Sequence, residues 1–433
     1  MLLLLQLPLI LNPGYLSFDE LQWWARADVP VLGDLPWLAW TDLRTFQYRP
    51  LTFNLWLLLA HALAAHAYAM HAVFVLLGTF NALLLAACVR TAGARRGTAA
   101  VAAVAFVLSP YVAYTHGWTG TLADLLVLLF GMLGARALLG ACAVRAGSIA
   151  LLLALLVAAA LLAKESAVVL PALWLIVAAT RCGLRRALLL VAPAALVAAA
   201  YLAPRIPVLW TSEAGSHGYA WALANIPSRI TEYALYPWLP PLFEIGPTLG
   251  KSMFRIAFAA LCAGAVLAAL LRTHWRPAAT WLLLCTIALA PVLVLARSFD
   301  QYAYLASAAG IGVVAFTWQR SDGIARALLL AAATVSSIHG VQVMLRMQEV
   351  GAIEQRFHGD LIAVLERSAL PVRIVPARIG DAWMLERWID YVPSYRGVSL
   401  TGRFTVGAAQ AGVITLTMQP DGALAAGPSA TRH

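Results

Sequence analysis

A few ionisable positions stand out in a chain that carries little charge elsewhere. Asp19 and Glu20 are adjacent in Tyr15-Leu16-Ser17-Phe18-Asp19-Glu20-Leu21. Carboxylates are common general bases, but neighbours on a helix point about 100° apart and cannot converge as a symmetrical pair. One of them could act as a base in a cavity while the other orients it or faces water. The pair also suits a plain helix start, since Ser17 with Glu20 three residues later is a capping box and acids favour the first turn.

Arg49 lies in Tyr48-Arg49-Pro50-Leu51. Pro50 marks the first position of a helix, so Arg49 stands near backbone N–H groups that already attract anions. The alternative is a surface arginine beside lipid headgroups. Lys164 and Glu165 interrupt a long uncharged stretch, and a charge pair so close to an apolar layer is usually functional. Mutual neutralisation at a tight turn is the other reading. Asp124 follows His116-Gly117-Trp118-Thr119-Gly120-Thr121, and Asp300 follows Arg297-Ser298-Phe299. Either aspartate could be an interface residue of no special role.

The elements that position these groups follow from composition. Of 433 residues, 62% are hydrophobic and 12% charged. A soluble domain carries about 25% charge, so disorder, a repeat solenoid and an ordinary soluble enzyme are excluded, and lipid must be the solvent for much of the surface. The net charge of +10 rests on arginine, with Lys164 and Lys251 the two lysines. Apolar runs long enough to cross a bilayer occur near 67–89, 98–113, 121–142, 148–163, 166–180, 187–203, 253–271, 278–296, 302–318 and 324–343. The opening run Met1 to Leu11 makes an eleventh. It rises only about 16 Å against a core of roughly 30 Å, and it lacks the basic region and cleavage site of a signal peptide, so a start codon placed too late is expected.

Short loops holding Arg90, Arg95 and Arg96, then Arg145, Arg181 with Arg185 and Arg186, Arg272 with Arg276, and Arg320 with Arg326 alternate with acidic or mixed loops. The positive-inside rule puts the arginine loops in the cytoplasm, with a cytoplasmic N-terminus. Segments 12–66, 204–252 and 344–433 then lie outside, and Asp19, Arg49, Asp124, Lys164 and Asp300 all fall on that side. The outward loops hold Trp23, Trp24, Trp37, Trp40, Trp56, Trp210, Trp221 and Trp238 with Tyr219, Tyr233 and Tyr236. Such rings favour the headgroup layer, which fits interfacial helices over a lipid-facing cavity or plain anchoring. Cys88, Cys142 and Cys182 fall at cytoplasmic ends and Cys262 and Cys285 within spans, so no disulfide framework is implied. His61, His66 and His71 recur at about 140° on a helix and share no face.

Segment 344–433 holds nine basic and eight acidic residues. Helical spacing over 346–369 and strand patterns at Val372 to Val375 and Val413 to Thr417 predict a small soluble α/β or β-rich segment, a lid or acceptor-docking module or equally a stabilising appendage. Residues 419–433 read as frayed. The expected architecture is an all-α polytopic membrane protein, with a transmembrane domain over 1–343 and a small extracytoplasmic domain over 344–433.

The order of Asp19-Glu20, YRPL at 48–51, SPY and HGWTGTLADLL at 109–126, LAKES at 162–166 and DQYAYLASAAG at 300–310 resembles the GT-C membrane glycosyltransferases, over roughly 1–345. It is most similar to the protein O-mannosyltransferase branch with tetratricopeptide tails and to its bacterial relatives. Two departures are plain: Gln301 stands where that family has arginine, and 344–433 shows no 34-residue period. The resemblance implies a GT-C bundle of about eleven spans in a bacterial inner membrane, and inverting transfer of a sugar from a polyprenyl-phosphate donor to a protein, lipid or glycan acceptor on the outer face. It implies Asp19 as base with Glu20 beside it, and Arg49, Lys164 and Arg297 on the donor phosphate. Tyr48, His116, Asp124, Glu165, Asp300, Tyr302 and Tyr304 would orient substrate. A divalent cation is left open, membrane lipids are expected partners, and nucleic acid is not. The competing expectations are a flippase or secondary transporter for a lipid-linked sugar, which would favour two similar halves with helices broken at the midplane, and a scaffold protein.

Overall fold

Backbone groups in a hydrocarbon layer must be satisfied within their own segment, which makes the apolar runs helices. The structure, a computed structural model, describes residues 1–37, 42–45, 47–140, 146–211, 220–368, 371–389, 391–407 and 413–426. Trp40, Cys142, Arg145, Tyr219 and the tail beyond 426 lie outside the described residues, as does the side chain of Trp210. In chain order the helices are α1 (Leu2–Leu5), α2 (Leu7–Ile10), α3 (Phe18–Ala27), α4 (Pro50–Leu63), α5 (Ala67–Thr91), α6 (Arg96–Val107), α7 (Pro110–Gly117), α8 (Leu122–Leu139), α9 (Ala146–Ala163), α10 (Leu170–Cys182), α11 (Leu184–Thr211), α12 (Ile226–Leu235), α13 (Met253–Thr273), α14 (Trp275–Leu289), α15 (Tyr304–Trp318), α16 (Gly323–Arg367) and α17 (Ala382–Ile389).

Among the described residues, seven helices are long and apolar enough to cross a membrane, or eight if α6 and α7, bent by 63° at their break, count as one span. Eleven spans are not found. The opening run is not one helix: Gln6 separates α1 from α2, and its buried amide donates to Leu2 O at 3.2 Å and Thr79 Oγ1 at 3.0 Å. The predicted spans at 278–296 and 302–318 hold helices of 15 residues each, about 22 Å long against a core of roughly 30 Å. The long helices keep much of their apolar surface outward: only 22% of the apolar window in Met253–Thr273 is buried, and Leu189, Leu196, Phe254 and Leu261 are exposed. By length and composition this is a multi-pass membrane protein.

Two local features shape the bundle around the charged residues. The bend between α6 and α7 has Pro110 as the first residue of α7, where its fixed φ and missing N–H are tolerated. Gly340 of α16 packs there, and a Cβ on it would lie 1.9 Å from Leu108 O. Between α9 and the short turn Glu165–Val169, Lys164 has extended backbone (φ −161°, ψ 140°), so the chain turns back with its charged pair at the tip.

The C-terminal segment folds as predicted into a small α/β unit. A four-stranded sheet has the order β4 (Phe404–Val406), β1 (Val372–Pro376), β5 (Ile414–Met418), β6 (Leu424–Ala426), with β1 parallel to both its neighbours and β6 antiparallel to β5. A separate hairpin joins β2 (Ser394–Tyr395) to β3 (Val398–Ser399). No break separates this unit from the bundle at 343/344, because α16 runs through that point for 45 residues, about 67 Å. Phe357, Leu361 and Leu365 of its far half bury against Trp388, Val372 and Ile374. The unit packs onto α3 through Trp24 against Tyr395 (ring centroids 5.1 Å) and Phe18 against Tyr391 (5.6 Å).

Candidate functional site at one end of the bundle

Helix α3 buries Glu20, Leu21, Trp24 and Ala27 along one side. Glu20 is 1% exposed. Its Oε2 accepts from Leu16 N at 2.6 Å and Ser17 N at 2.9 Å, and its Oε1 from Thr119 N at 2.8 Å and Thr119 Oγ1 at 2.7 Å. The capping interaction of the sequence reading is present, and it is extended: the carboxylate also fastens the turn after α7. Desolvation pushes Glu20 up to about 7, against those hydrogen bonds. Asp19 sits one position round the helix and is half-buried. It accepts from Gln22 Nε2 at 3.4 Å, burial raises its pKa, and Arg387 and Arg49 are the cations that pull it down. The two acids thus occupy different environments, as their angular offset requires.

Arg49 is the N-cap residue of α4, and its Nε donates to Glu165 Oε2 at 2.9 Å. Glu165 Oε1 lies 3.9 Å from Arg205 Nη2. Arg205 is fully buried and donates through Nη1 to Leu43 O and, at 2.6 Å, to Thr45 O. Its guanidinium lies 5.8 Å from the Tyr48 ring centroid, and Tyr48 packs 6.3 Å from Tyr201. Arg205 was missed because the apolar pattern reads as ending at 203. A lone arginine between Pro204 and Pro207 near the end of an apolar helix was the available signal.

Lys164 Nζ donates to Asp124 Oδ1 at 2.6 Å, with both side chains largely buried, and lies 4.4 Å from the Tyr302 ring centroid. Three segments distant in sequence, the start of α8, the α9 tip and the turn before α15, therefore meet at one ammonium.

Asp300 takes a neighbouring position. It is 3% exposed, its Oδ2 accepts from Ile245 N at 3.3 Å, and its Oδ1 is buried without a hydrogen-bond partner among the described residues. Burial first, then the charge of Glu244, pushes it up to about 8. Glu244 receives Arg387 Nη1 at 2.5 Å, and Tyr114 Oη donates to the same oxygen at 3.2 Å. Arg387 Nη2 donates to Tyr114 Oη at 3.1 Å. Arg387 comes from α17, so the C-terminal unit delivers a cation to the neighbourhood of Asp19. Its sequence, an ordinary amphipathic helix, gave no local sign of this.

His116 and Tyr304 lie elsewhere, in a buried chain of hydrogen bonds. Gln6 Oε1 is 2.5 Å from His116 Nδ1, His116 Nε2 is 2.8 Å from Tyr304 Oη, and Asn81 Nδ2 donates to the same hydroxyl at 3.2 Å. This chain ties the break between α1 and α2 to α5, α7 and α15. Arg297 is exposed, three residues before Asp300. His61 and His71 bond separately to Ala27 O and Gly14 O. Among the described residues no three His, Cys, Asp or Glu side chains are arranged to hold a metal ion.

The well-formed cavities described below do not include Asp19, Arg49, Asp124 or Lys164 in their walls. Lys164 is paired with Asp124 and Arg49 with Glu165. One apolar cavity of about 290 Å³ lies between α12, α14, α15 and α16 and reaches Ala303, beside the turn that carries Asp300 and Tyr302. No protein-family model, curated protein or solved structure matches this chain.

Proposed function

We propose that the chain is a GT-C-like glycosyltransferase that moves a sugar from a polyprenyl-phosphate donor to an acceptor hydroxyl or amine in an inverting displacement. The observation that carries this reading is the convergence of Asp19, Arg49, Lys164, Asp124 and Glu165 from four separate stretches at one end of the bundle. Asp19 accepts the acceptor's proton as the acceptor attacks the anomeric carbon. The bond from that carbon to the phosphate oxygen breaks, and its electron pair leaves with the polyprenyl phosphate. Arg49 and Lys164 stabilise the charge that grows on the phosphate. They exchange their carboxylates Glu165 and Asp124 for it, so the ion pairs hold the cations in place until donor arrives. Glu20, with both oxygens engaged, positions α3. The apolar cavity next to the turn before α15 suits the donor's isoprenoid chain, and the stacked and buried aromatic residues around α3 suit the sugar's apolar face.

The test is a proteoliposome assay with radiolabelled polyprenyl-phosphate mannose, following label lost from the lipid. Asp19→Asn lowers transfer by about 10²-fold or more, the usual worth of a positioned base, with donor binding retained. Because the base must be ionised and burial raises Asp19, the rate falls as pH drops through a value above the ordinary carboxylate pKa of about 3.9. Near-normal transfer by Asp19→Asn refutes the assignment. Donor that crosses between leaflets with its label intact supports the flippase reading instead.

A further inference from the structure

At the end of the bundle remote from the ion pairs, α5, α8, α10, α14 and α15 leave a cavity of about 550 Å³. Lys164 and Arg181 bracket the turn Glu165–Val169 and α10, so the two ends stand about 26 Å apart along the helix direction. The cavity walls are apolar, with Leu85, Leu170 and Leu305 among them, and Gly131 and Gly312 leave the space that side chains would fill. The indole N–H of Trp174 is already engaged, donating to Gly131 O at 2.9 Å.

The mouth has the opposite character. Arg181 comes from the last turn of α10, Arg276 from the first turn of α14, and Arg320 from two residues past α15, and all three are exposed. Among the described residues no carboxylate pairs with any of the three. From Arg181 back to Leu170 the wall follows α10 for about 16 Å, half of a hydrocarbon core of roughly 30 Å. Three guanidinium groups over an apolar shaft one leaflet deep match an amphiphile with an anionic head. A soluble phosphate would leave the shaft unfilled, and a zwitterionic lipid would answer the arginines only in part.

We propose that this cavity binds an anionic glycerophospholipid, with its phosphate on Arg181, Arg276 and Arg320 and an acyl chain between α10 and α15. The site is separate from the proposed transfer centre and stands or falls independently of it. The experiment is native mass spectrometry of the full chain from mixed micelles of phosphatidylglycerol and phosphatidylcholine. The wild-type chain retains phosphatidylglycerol at least about tenfold over phosphatidylcholine, in keeping with basic pockets between helices that hold anionic headgroups. Arg181→Gln, Arg276→Gln and Arg320→Gln together bring the ratio near one. Gly312→Leu, whose Cβ meets Leu85 only at an ordinary 3.6 Å, lowers retention of phosphatidylglycerol with the arginines intact. Equal retention of the two lipids by the wild type, or a preference unchanged in the triple variant, overturns the proposal. So does thermal stabilisation by inorganic phosphate equal to that by phosphatidylglycerol.

Discussion

Lys164→Met leaves Asp124 as an unpaired carboxylate in a setting where water is nearly excluded. The two side chains are 5% and 12% exposed and meet at 2.6 Å. Removing one partner of a buried ion pair costs about 3–5 kcal/mol, whereas replacing both by apolar residues of similar volume is often neutral or better. The ring of Tyr302 complicates the second case. Its face lies 4.4 Å from the ammonium, and a desolvated contact of that kind is worth about 2 kcal/mol. Lys164→Met and Asp124→Leu should therefore each lose about 3–5 kcal/mol, and the double variant only about 1–2 kcal/mol. Unfolding in mixed micelles of increasing dodecyl sulfate, followed by far-ultraviolet circular dichroism, measures all three. A double variant less stable than either single, or a Lys164→Met within about 1 kcal/mol of wild type, refutes the buried-pair reasoning. The double variant also separates fold from function. It should be folded yet fail to bind polyprenyl-phosphate donor, and normal donor binding would remove Lys164 from the phosphate site.

Glu20 holds its proton more tightly in the folded chain, at about 7 rather than 4.5, so its contribution to stability declines as pH rises between those values, by at most about 3 kcal/mol. Glu20→Gln should flatten that slope in denaturant titrations at pH 5 and pH 8, and cost about 1–3 kcal/mol at neutral pH because some of the four donors then face an amide NH2. Because burial and the charge of Glu244 push Asp300 up to about 8 and so favour its protonated form at neutral pH, Asp300→Asn should change stability by less than about 1 kcal/mol and leave transfer near wild type. A loss of transfer above about tenfold would show that its charge is used. Arg387→Gln leaves Glu244 and Tyr114 without their cation. Hydrogen exchange should quicken in 382–389, and the pH limb of transfer proposed for Asp19 should move up because Arg387 no longer favours its ionised form.

The sequence by itself determined the apolar surroundings and the mostly helical, multi-pass character of the chain, but not the number of spans, which is seven or eight rather than eleven among the described residues. Sixty-two per cent apolar residues with 12% charge allow no other bulk surroundings, and a helix satisfies its backbone within one stretch of chain. Glu20 was legible for the same reason: Ser17 and Leu16, two of its partners, lie within four residues. The strands at 372 and 414 and the helical start of 344–433 were legible from period alone.

Tertiary structure decided everything that joins distant stretches. Asp124 answers Lys164, and Glu165 answers Arg49 with Arg205 behind it, pairings no spacing rule contains. Gln6, a polar residue in an apolar run, finds its partner Thr79 on α5 only through the fold, whereas the break beside it is local, since Pro8 has no N–H to continue the opening helix. Arg387 reaches the neighbourhood of Asp19 only because α16 carries the C-terminal unit back over α3. A charge in a low-dielectric bundle must find its partner wherever the fold brings one, and that partner is fixed by packing, which local sequence does not encode.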